Sequence, residues 1–369
     1  MPTPYERLGL RTFVNARGTI TTLGGSIMPD EVVQAMVEAS RNFVHLNELH
    51  EKAGARIAEL TSAEGAFISA GAASGLLLAG AACLTGTDAQ AIANLPNIGD
   101  RRNEFVISLV DSHYYVHQGF CVAGGTLRKI GSKDAVTLEN YVEAIGPKTA
   151  AVVYFLGSQP IEDLPAIVAA AHAQDVPVIV DAAAQLPPRS NLIDLPAMRC
   201  DMTVFSGGKG LFGPQSTGLI LGRKDLIEAC HLNSNPHSAI GRGMKVGKEE
   251  ICALLRAVEL FFEIDEAAVV AEWERRCRMI AEAVADIDGI EADFTKAYEN
   301  KFPPASPLVH LHFADDAAKS AADTLEELEA GEPSILAAGG GSSLTVGPQT
   351  LQEGEAEIIA ERLRQILAG

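Results

Sequence analysis

Lys209 lies in surroundings that suit a nucleophilic side chain. Its segment, SGGKGLFGPQSTG at 206–218, places one long cation among five glycines. A lysine that is partly desolvated has a depressed pKa and can form an imine with a carbonyl group. Small neighbours also let the backbone approach a bound molecule closely. Because apolar runs flank the segment on both sides, we interpret it as a binding loop and not as a flexible surface turn.

Asp181 is the second candidate, and it ends the apolar run VIVD at 178–181. An aspartate in this position often caps a following helix. Beneath a pyridine ring, its carboxylate would instead keep the ring nitrogen protonated by charge pairing, which makes the ring an electron sink. Lys209 lies 28 residues further along, after the next apolar run. Because ligands of open parallel sheets collect at the carboxyl ends of strands, we expect the two side chains to meet there.

The sequence also contains a candidate phosphate-binding helix start. Gly71, Ala72 and Ala73 open a helical pattern rich in Ala and Leu, and the free N–H groups of a helix start can bind a phosphate. Ser206 can add a hydroxyl group to the same anion. Each feature alone is a weak signal. Together, the lysine, the aspartate and this helix start predict a site for pyridoxal 5′-phosphate (PLP).

The rest of the chain predicts the elements that position these residues. Apolar, β-branched runs alternate with helical patterns, and the runs lie at 104–110, 149–156, 176–183, 201–206 and 217–222. Strands without polar alternation that are separated by helices indicate a mostly parallel sheet with helices on both faces. This arrangement is a three-layer α/β domain.

A change of character after Gly247 predicts a second domain. About forty residues of nearly continuous helical pattern begin there, and shorter strand and helix patterns follow. The expected organisation is an N-terminal arm and helix over 1–47, a large α/β domain over 48–246 and a small α+β domain over 247–369. The small domain is expected to begin with a long linking helix.

Composition argues against several classes of protein. A net charge of −19 disfavours nucleic-acid partners, which bind mainly through cationic groups. Six cysteines form no CxxC pair and no zinc-ligand spacing, so we expect no metal and a reduced, cytoplasmic protein. The N-terminal residues show no signal pattern. The uncharged stretch 65–87 is dominated by Ala and Gly, so we interpret it as a buried helix and expect no membrane association.

Two further residues follow predicted strands and are weaker candidates. His113, in the segment DSHYYVH, could stack its ring on the cofactor. Alternatively, a neighbouring tyrosine takes this role, or His113 is an ordinary loop histidine. Gln159 could contact the ring oxygen of the cofactor or the substrate, or it could be a solvated loop amide.

Arg17 and Arg242 are candidates for anion binding, because a guanidinium group suits a carboxylate or a phosphate. Arg242 lies in AIGRGMKVG, whose glycines suit a close approach. Each arginine could equally form a salt bridge at the surface or at an interface.

Five segments resemble a known family. They are VNARGTITTLGGS (14–26), ARIAELTSAEGAFISAGAASGLLLAGAACL (55–84), VIVDAAAQLPP (178–188), FSGGKGLFGPQSTGLILGR (205–223) and IGRGMKVGKEEI (240–251). They resemble the selenocysteine synthase-like branch of fold type I PLP-dependent enzymes and, within it, the D-glucosaminate ammonia-lyase (dehydratase) type. The resemblance extends over nearly the whole chain and is most specific around Lys209.

The resemblance implies a fold and a set of roles. The fold would be aspartate aminotransferase-like, with a mostly parallel seven-stranded sheet in the large domain. Lys209 would carry the cofactor as a Schiff base, Asp181 would pair with its ring nitrogen, and the helix start with Ser206 would lie near its phosphate. Family members are dimers or larger rings with sites at subunit interfaces, which implies a homodimer or a higher homo-oligomer here.

The sequence departs from one feature of this group. Many fold type I enzymes hold the substrate carboxylate with an arginine near the strand after Pro333, but the stretch EPSILAAGGGSSLTVGP at 332–348 contains no arginine. Either another cation takes this role or the substrate is not a standard amino acid.

The expected activity is that of a PLP-dependent lyase on a small hydroxylated amino acid. Lys209 would act as the base at Cα, and loss of a β-hydroxyl group would lead to a keto acid and ammonia. The elimination is implied by the resemblance, because the residues themselves predict only imine chemistry. Racemisation, β-replacement and aldol cleavage share its first step. Two competing hypotheses are selenium transfer on seryl-tRNA, which the charge of −19 opposes, and a non-catalytic scaffold.

Overall fold

The computed structural model of the chain describes residues 2–297 and 306–368. Its α-helices are α1 Pro4–Arg7, α2 Asp30–Ser40, α3 Leu46–Thr61, α4 Ala72–Thr85, α5 Ala89–Asn94, α6 Tyr114–Val122, α7 Leu138–Ala144, α8 Leu164–His172, α9 Asn191–Ala197, α10 Lys224–Leu232, α11 Lys248–Glu263, α12 Glu266–Glu282, α13 Ala321–Ala330 and α14 Glu355–Leu367. Its strands are β1 Phe13–Asn15, β2 Gly65–Ser69, β3 Glu104–Ser108, β4 Thr126–Ile130, β5 Thr149–Phe155, β6 Val178–Asp181, β7 Met202–Ser206, β8 Gly218–Gly222, β9 Ile290–Thr295, β10 Leu308–Phe313, β11 Ser334–Leu336, β12 Ala338–Gly340 and β13 Ser343–Val346. The five predicted apolar runs correspond to β3, β5, β6, β7 and β8.

The chain divides into two compact units. Among the described residues, the large unit spans Ile27–Ile264, and the small unit joins the residues up to Ser26 with those from Asp265 onward. This division differs from the expected boundaries at 47 and 247. The physical reason is that α2 and α11 pack against each other within the large unit, so both helices belong to it.

The expected long linking helix is two helices. α11 ends at Glu263, and the C-cap residue Ile264 has an extended backbone with ψ of 150°. Asp265 then caps α12 through its side chain, which accepts a hydrogen bond from the Ala268 N–H at 3.2 Å. An N-cap aspartate satisfies a helix-start N–H group that a continuous helix would bond internally. The break therefore coincides with the change from one unit to the other.

A seven-stranded sheet with the order β2-β8-β7-β6-β5-β3-β4 forms the centre of the large unit. Strands β3 to β7 pair in parallel, whereas β8 is antiparallel to both of its neighbours. From Ala151 to Phe155, successive side chains of the fully buried β5 fall alternately into two hydrophobic clusters, so the clusters cover opposite faces of the sheet. The predicted α/β domain with a mostly parallel sheet covered on both faces is confirmed.

Two strands of this sheet were missed in the sequence. The stretch 65–87, expected to be a buried helix, contains β2, a turn at Gly71 with φ of +99°, and then α4. β4 has the polar sequence TLRKI and is mostly exposed, because it is an edge strand that pairs only with β3. Among the described residues, none of the helices combines the length and the apolar character needed to cross a bilayer.

The small unit has its own sheet and core. Four antiparallel strands follow the order β12-β13-β10-β9, and β1 pairs in parallel with β11. β10, with the sequence LVHLHF, alternates buried apolar residues with more exposed histidines, as expected for a strand with one buried face. Residues of α12, α13 and α14 complete the core of this unit. The predicted smaller α+β domain is confirmed, and the N-terminal strand β1 is part of it.

Candidate active site

The carboxyl edge of the large sheet brings together residues that the sequence separates. Asp181 is the last residue of β6, and Ser206 is the last residue of β7. The two strands pair in parallel with Asp181 opposite Val204, and Lys209 follows shortly after Ser206. The structure therefore places the predicted lysine and aspartate after neighbouring strands at one edge of the sheet.

The loop that carries Lys209 is closed by backbone hydrogen bonds. The Gly207 N–H donates to the Thr217 carbonyl at 2.8 Å, and the Gly213 N–H donates to the Gly207 carbonyl at 2.8 Å. The Phe212 N–H donates to the carbonyl of Lys209 itself at 3.0 Å. These bonds fix the backbone on both sides of the lysine, so the loop presents Lys209 from a defined position.

The glycines next to Lys209 are required by close packing. A Cβ atom at Gly208 would lie 2.4 Å from the Cα of Gln215, and one at Gly210 would lie 2.1 Å from the carbonyl oxygen of Leu186. Both neighbours are backbone atoms, which cannot move aside as a flexible side chain can. Any larger residue at either position would therefore displace the loop and the lysine with it.

Burial acts against the charged forms of both Lys209 and Asp181. It lowers the pKa of the Lys209 ammonium group, and the nearby Asp181 carboxylate opposes this change. Burial raises the pKa of Asp181 to about 6, against the hydrogen bond that the Ala183 N–H donates to Oδ1 at 3.0 Å. The Asp111 carboxylate raises the pKa of Asp181 as well. Burial in the site thus disfavours the charge of the Asp181 carboxylate and the charge of the Lys209 ammonium group.

His113 belongs to a hydrogen-bonded group at the end of β3. Its Nδ1 lies 2.9 and 3.0 Å from the two carboxylate oxygens of Asp111, and its backbone N–H donates to the same carboxylate at 2.7 Å. The Ser158 hydroxyl also donates to Asp111, at 3.2 Å. Asp111 and Ser158 are absent from the predicted site residues. The Asp-x-His spacing after a strand is a sequence signal for the first of them, and Ser158 has none.

Gln159 is buried, so it is not a solvated loop amide. Its side-chain carbonyl accepts hydrogen bonds from the Tyr141 hydroxyl at 3.0 Å and from the Phe155 N–H at 3.4 Å. These bonds fix the segment that follows β5 against the core. A contact between Gln159 and the cofactor stays a prediction.

The start of α4 has the geometry expected of an anion site. The first hydrogen bond within the helix runs from the Gly75 N–H to the Gly71 carbonyl at 3.0 Å, so the N–H groups of Ala72 and Ala73 precede it. Among the described residues, and apart from Gly71 and its two chain neighbours, no atom lies within 4 Å of the position that a Cβ of Gly71 would occupy. A Cβ at Gly218 would lie 2.5 Å from the Gly71 carbonyl carbon, so the end of the lysine loop packs directly on this helix start.

The two predicted arginines lie in different units. Arg242 is an exposed residue of the large unit, and its Nη1 donates to the Asn235 side-chain oxygen at 3.2 Å. Arg17 is an exposed residue of the small unit, just after β1. The structure therefore brings the lysine, aspartate, histidine and helix-start residues together within the large unit, and it describes each arginine in separate surroundings.

Two observations test whether this edge of the sheet suits PLP. The raised pKa of Asp181 means that a cation, such as a protonated ring nitrogen, would relieve an unfavourable buried charge. The open space at Gly71 leaves the first N–H groups of α4 able to bind a phosphate. Both observations fit PLP, and covalent attachment at Lys209 stays a prediction.

Comparisons with known proteins agree with this fit. The model of the aminotransferase class-V family matches residues 24–238. The chain is 32% identical to D-glucosaminate-6-phosphate ammonia lyase from Salmonella typhimurium, over 99% of this chain and 98% of that protein. It is 33% identical to a 5′-C-glycyluridine monooxygenase-decarboxylase from a Streptomyces species, over 98% of this chain and 92% of that protein.

A solved structure supports the same assignment. The structure of D-glucosaminate-6-phosphate ammonia-lyase matches with a TM-score of 0.84 at 30% identity. The match covers 100% of this chain and 99% of the solved chain. The resemblance to the ammonia-lyase type of fold type I enzyme is thereby confirmed. This chain belongs to the aminotransferase class-V family and depends on PLP.

Proposed function

We propose that this protein is a PLP-dependent lyase that removes a β-hydroxyl group and then ammonia from a small hydroxylated amino acid. The observation that carries the proposal is the pairing of Lys209, whose pKa burial lowers, with Asp181, whose pKa burial raises, at one edge of the sheet. The similarity to an ammonia lyase over nearly the full length of both chains supports elimination as the reaction.

Each residue of the site has a defined task in this reaction. When bound, PLP supplies an electron sink for the charge that develops at the substrate Cα. Asp181 provides the negative charge that keeps the ring nitrogen protonated. The N–H groups at the start of α4 and the Ser206 hydroxyl bind the phosphate. Lys209 Nζ would take the proton from Cα.

A second candidate is an oxygen-dependent decarboxylation, and one observation favours it. The Streptomyces monooxygenase-decarboxylase is as similar to this chain as the ammonia lyase is. Both activities begin from the same lysine chemistry, as do racemisation, β-replacement and aldol cleavage. The residues around Lys209 therefore do not distinguish these activities, whereas the reaction products do.

A product screen decides between these activities. Purified protein with added PLP is mixed with hydroxylated amino acids of both enantiomers, with and without a terminal phosphate group. Keto acid and ammonia are measured by coupled assays, and oxygen uptake is followed with an electrode. Equal amounts of keto acid and ammonia without oxygen uptake support the lyase. Oxygen uptake with release of carbon dioxide contradicts it and establishes the second candidate.

We also propose that the protein acts in the cytoplasm as a homodimer or a larger homo-oligomer with its site at the subunit interface. Phe43 and Val44 are exposed apolar residues between α2 and α3, as expected of a surface that another subunit covers. Light scattering after size-exclusion chromatography measures the assembly. A monomer at micromolar concentration that retains full activity would contradict the proposal.

Arg17 is the cation that we propose for the substrate carboxylate. β1 runs parallel to β11 with Asn15 opposite Leu336, and the Ala16 N–H donates to the Leu336 carbonyl at 2.9 Å. Arg17 thus lies beside the stretch 332–348, where the arginine of many fold type I enzymes is missing. The N-terminal segment supplies a guanidinium group to the region in which the C-terminal sequence has none.

Replacement of Arg17 by glutamine is expected to raise KM for the amino acid about 10-fold to 100-fold with a smaller change in kcat. A hydrogen bond to a charged group contributes about 1.5–3 kcal/mol, which corresponds to this range. Steady-state kinetics measure the effect, with Arg242→Gln as the comparison. A larger rise in KM for Arg242→Gln than for Arg17→Gln would move the carboxylate site to Arg242.

A further inference from the structure

Ser158, Asp111 and His113 form a continuous hydrogen-bonded chain, which we call the Ser-Asp-His chain. The Asp111 side chain is only 6% exposed. It accepts hydrogen bonds from the Ser158 hydroxyl, the His113 backbone N–H and the His113 ring. Because these donors come from two different segments of the chain, the carboxylate is fixed in position before any ligand binds.

The Asp111 carboxylate determines which ring nitrogen of His113 carries hydrogen. Both of its oxygens lie within 3.0 Å of Nδ1, and an ionised carboxylate can only accept hydrogen bonds. Nδ1 is therefore the donor, and Nε2 is left to exchange protons with another molecule. The His113 side chain is 58% exposed, so a bound molecule can reach it.

The charges of the Ser-Asp-His chain act on Asp181, a member of the proposed catalytic pair. β5 separates β3 from β6, and the charge of His113 lowers the pKa of Asp181 while the charge of Asp111 raises it. The pKa of Tyr115 is raised mainly by burial, and the charges of Asp181 and Asp111 raise it further. His113 thus follows β3 and Asp181 ends β6, at the same edge of the same sheet.

His117 is a second histidine on which the Asp111 charge acts, and it is unsuited to this task. Burial lowers the pKa of His117, although Asp111 opposes this change. Its ring stacks on Phe155 with 5.9 Å between the centroids, and it is 4% exposed. His113 is therefore the histidine of this segment that can exchange a proton with a substrate.

We infer that Asp111 is a positioning residue, which holds His113 so that Nε2 delivers the proton to the leaving hydroxyl group. The inference rests on the proposed elimination. In that step the Cβ–O bond breaks and its electron pair stays with oxygen, which takes the Nε2 proton and leaves as water. Lys209 Nζ takes the Cα proton, and the electron pair of the Cα–H bond forms the Cα=Cβ bond. His113 is then reprotonated from solvent.

The test compares two leaving groups in the holoenzyme. Asp111→Asn is expected to lower kcat for a β-hydroxy amino acid about 10²-fold, the lower end for loss of acid–base catalysis. Its kcat for the matching β-chloro amino acid is expected to change less than about threefold, because chloride leaves without a proton. KM is expected to change little for either. His113→Gln is expected to show the same selectivity, and Asp316→Asn, at an exposed position of the small unit, is the matched control.

A second measurement reports on the ring without activity. Long-range ¹H–¹⁵N spectra of protein labelled in histidine distinguish a ring protonated at Nδ1 from one protonated at Nε2, and His113→Gln identifies the signal. Wild-type protein is expected to show His113 with hydrogen on Nδ1. Asp111→Asn is expected to show it on Nε2, because the asparagine N–H group donates to Nδ1. Ser158→Ala, which removes a single hydrogen bond, keeps the test available if Asp111→Asn does not fold, and its loss of kcat is expected in the same direction but smaller.

The outcomes separate this inference from the proposed function. Equal losses on the hydroxy and chloro substrates, or an unchanged His113 tautomer in Asp111→Asn, overturn the role of the Ser-Asp-His chain and leave the lyase intact. If wild-type protein eliminates neither substrate, the proposed lyase fails, and the role of His113 as its proton donor fails with it.

Discussion

Lys209→Ala is expected to lower turnover about 10⁴-fold, the upper end for loss of an acid–base group. The variant loses both the covalent attachment of PLP and the base that removes the Cα proton. It is also expected to lose the visible absorption of the bound cofactor. The fold is expected to persist, because the backbone bonds that close the loop at Gly207 and Gly213 do not involve the lysine side chain. Steady-state kinetics and an absorption spectrum measure the two effects.

The matched control for this prediction is Lys133→Ala, which removes an exposed lysine from the loop after β4. It is expected to keep full activity and colour. Borohydride treatment of wild-type protein, followed by peptide mapping, is expected to place the cofactor on residue 209. A coloured and active Lys209→Ala variant, or attachment at another lysine, would contradict the assignment of the catalytic lysine.

Asp181→Asn is expected to lower kcat about 10²-fold to 10³-fold, the range for loss of one preorganised electrostatic contact. The same substitution is expected to stabilise the cofactor-free protein. Asp181 has a pKa of about 6 in the folded chain, above its ordinary value of 3.8, so its ionisation opposes folding by up to about 3 kcal/mol. Asparagine removes the charge and keeps the shape.

The raised pKa of Asp181 determines the pH range over which the stability of the wild-type protein changes. Between pH 3.8 and about 6 the folded chain holds a proton on Asp181 that the unfolded chain has lost, so wild-type stability falls as the pH rises through this range. Above it, the cofactor-free Asn variant is expected to melt roughly 2–4 °C higher. Below it, the difference disappears. Calorimetry at pH 4 and pH 8 checks the window, and an Asn variant that melts lower than wild type at pH 8 would show that Asp181 is not an unpaired buried charge.

The lower kcat and the higher stability expected of Asp181→Asn have the same cause. Asp181 is unfavourable where it lies until a cation is placed against it, and PLP with a protonated ring nitrogen supplies that cation. A residue that lowers the stability of the cofactor-free chain and raises the activity of the loaded enzyme is typical of a functional site. Addition of PLP is therefore expected to raise the melting temperature of wild-type protein more than that of Asp181→Asn.

The sequence alone determined the type of sheet in the large unit, and it predicted Lys209 and Asp181 as the reactive pair. The apolar runs around Asp181 and Lys209 are strands buried on both faces. Such strands consist almost entirely of apolar residues, so they can be recognised in the sequence. The run of glycines beside Lys209 is equally visible in the sequence, although the backbone atoms that require Gly208 and Gly210 are seen only in the structure. These features depend on local sequence, so they could be predicted without a structure.

Features that depend on long-range pairing needed the tertiary structure. The edge strand β4 is polar because one side of it has no neighbouring strand, so its pattern resembles a loop. The break after Ile264 lies within a helical pattern that shows no glycine or proline. The direction of the buried Gln159 side chain follows from its bond to Tyr141, which lies on a different element.

Only the tertiary structure decided which distant residues lie side by side. Arg17 lies beside residues 332–348 because β1 pairs with β11, and Ser158 bonds to Asp111 because β5 lies next to β3. Local sequence preferences set the type and burial of each element. Partners that are distant in the chain are chosen by sheet topology and packing, which no single segment contains.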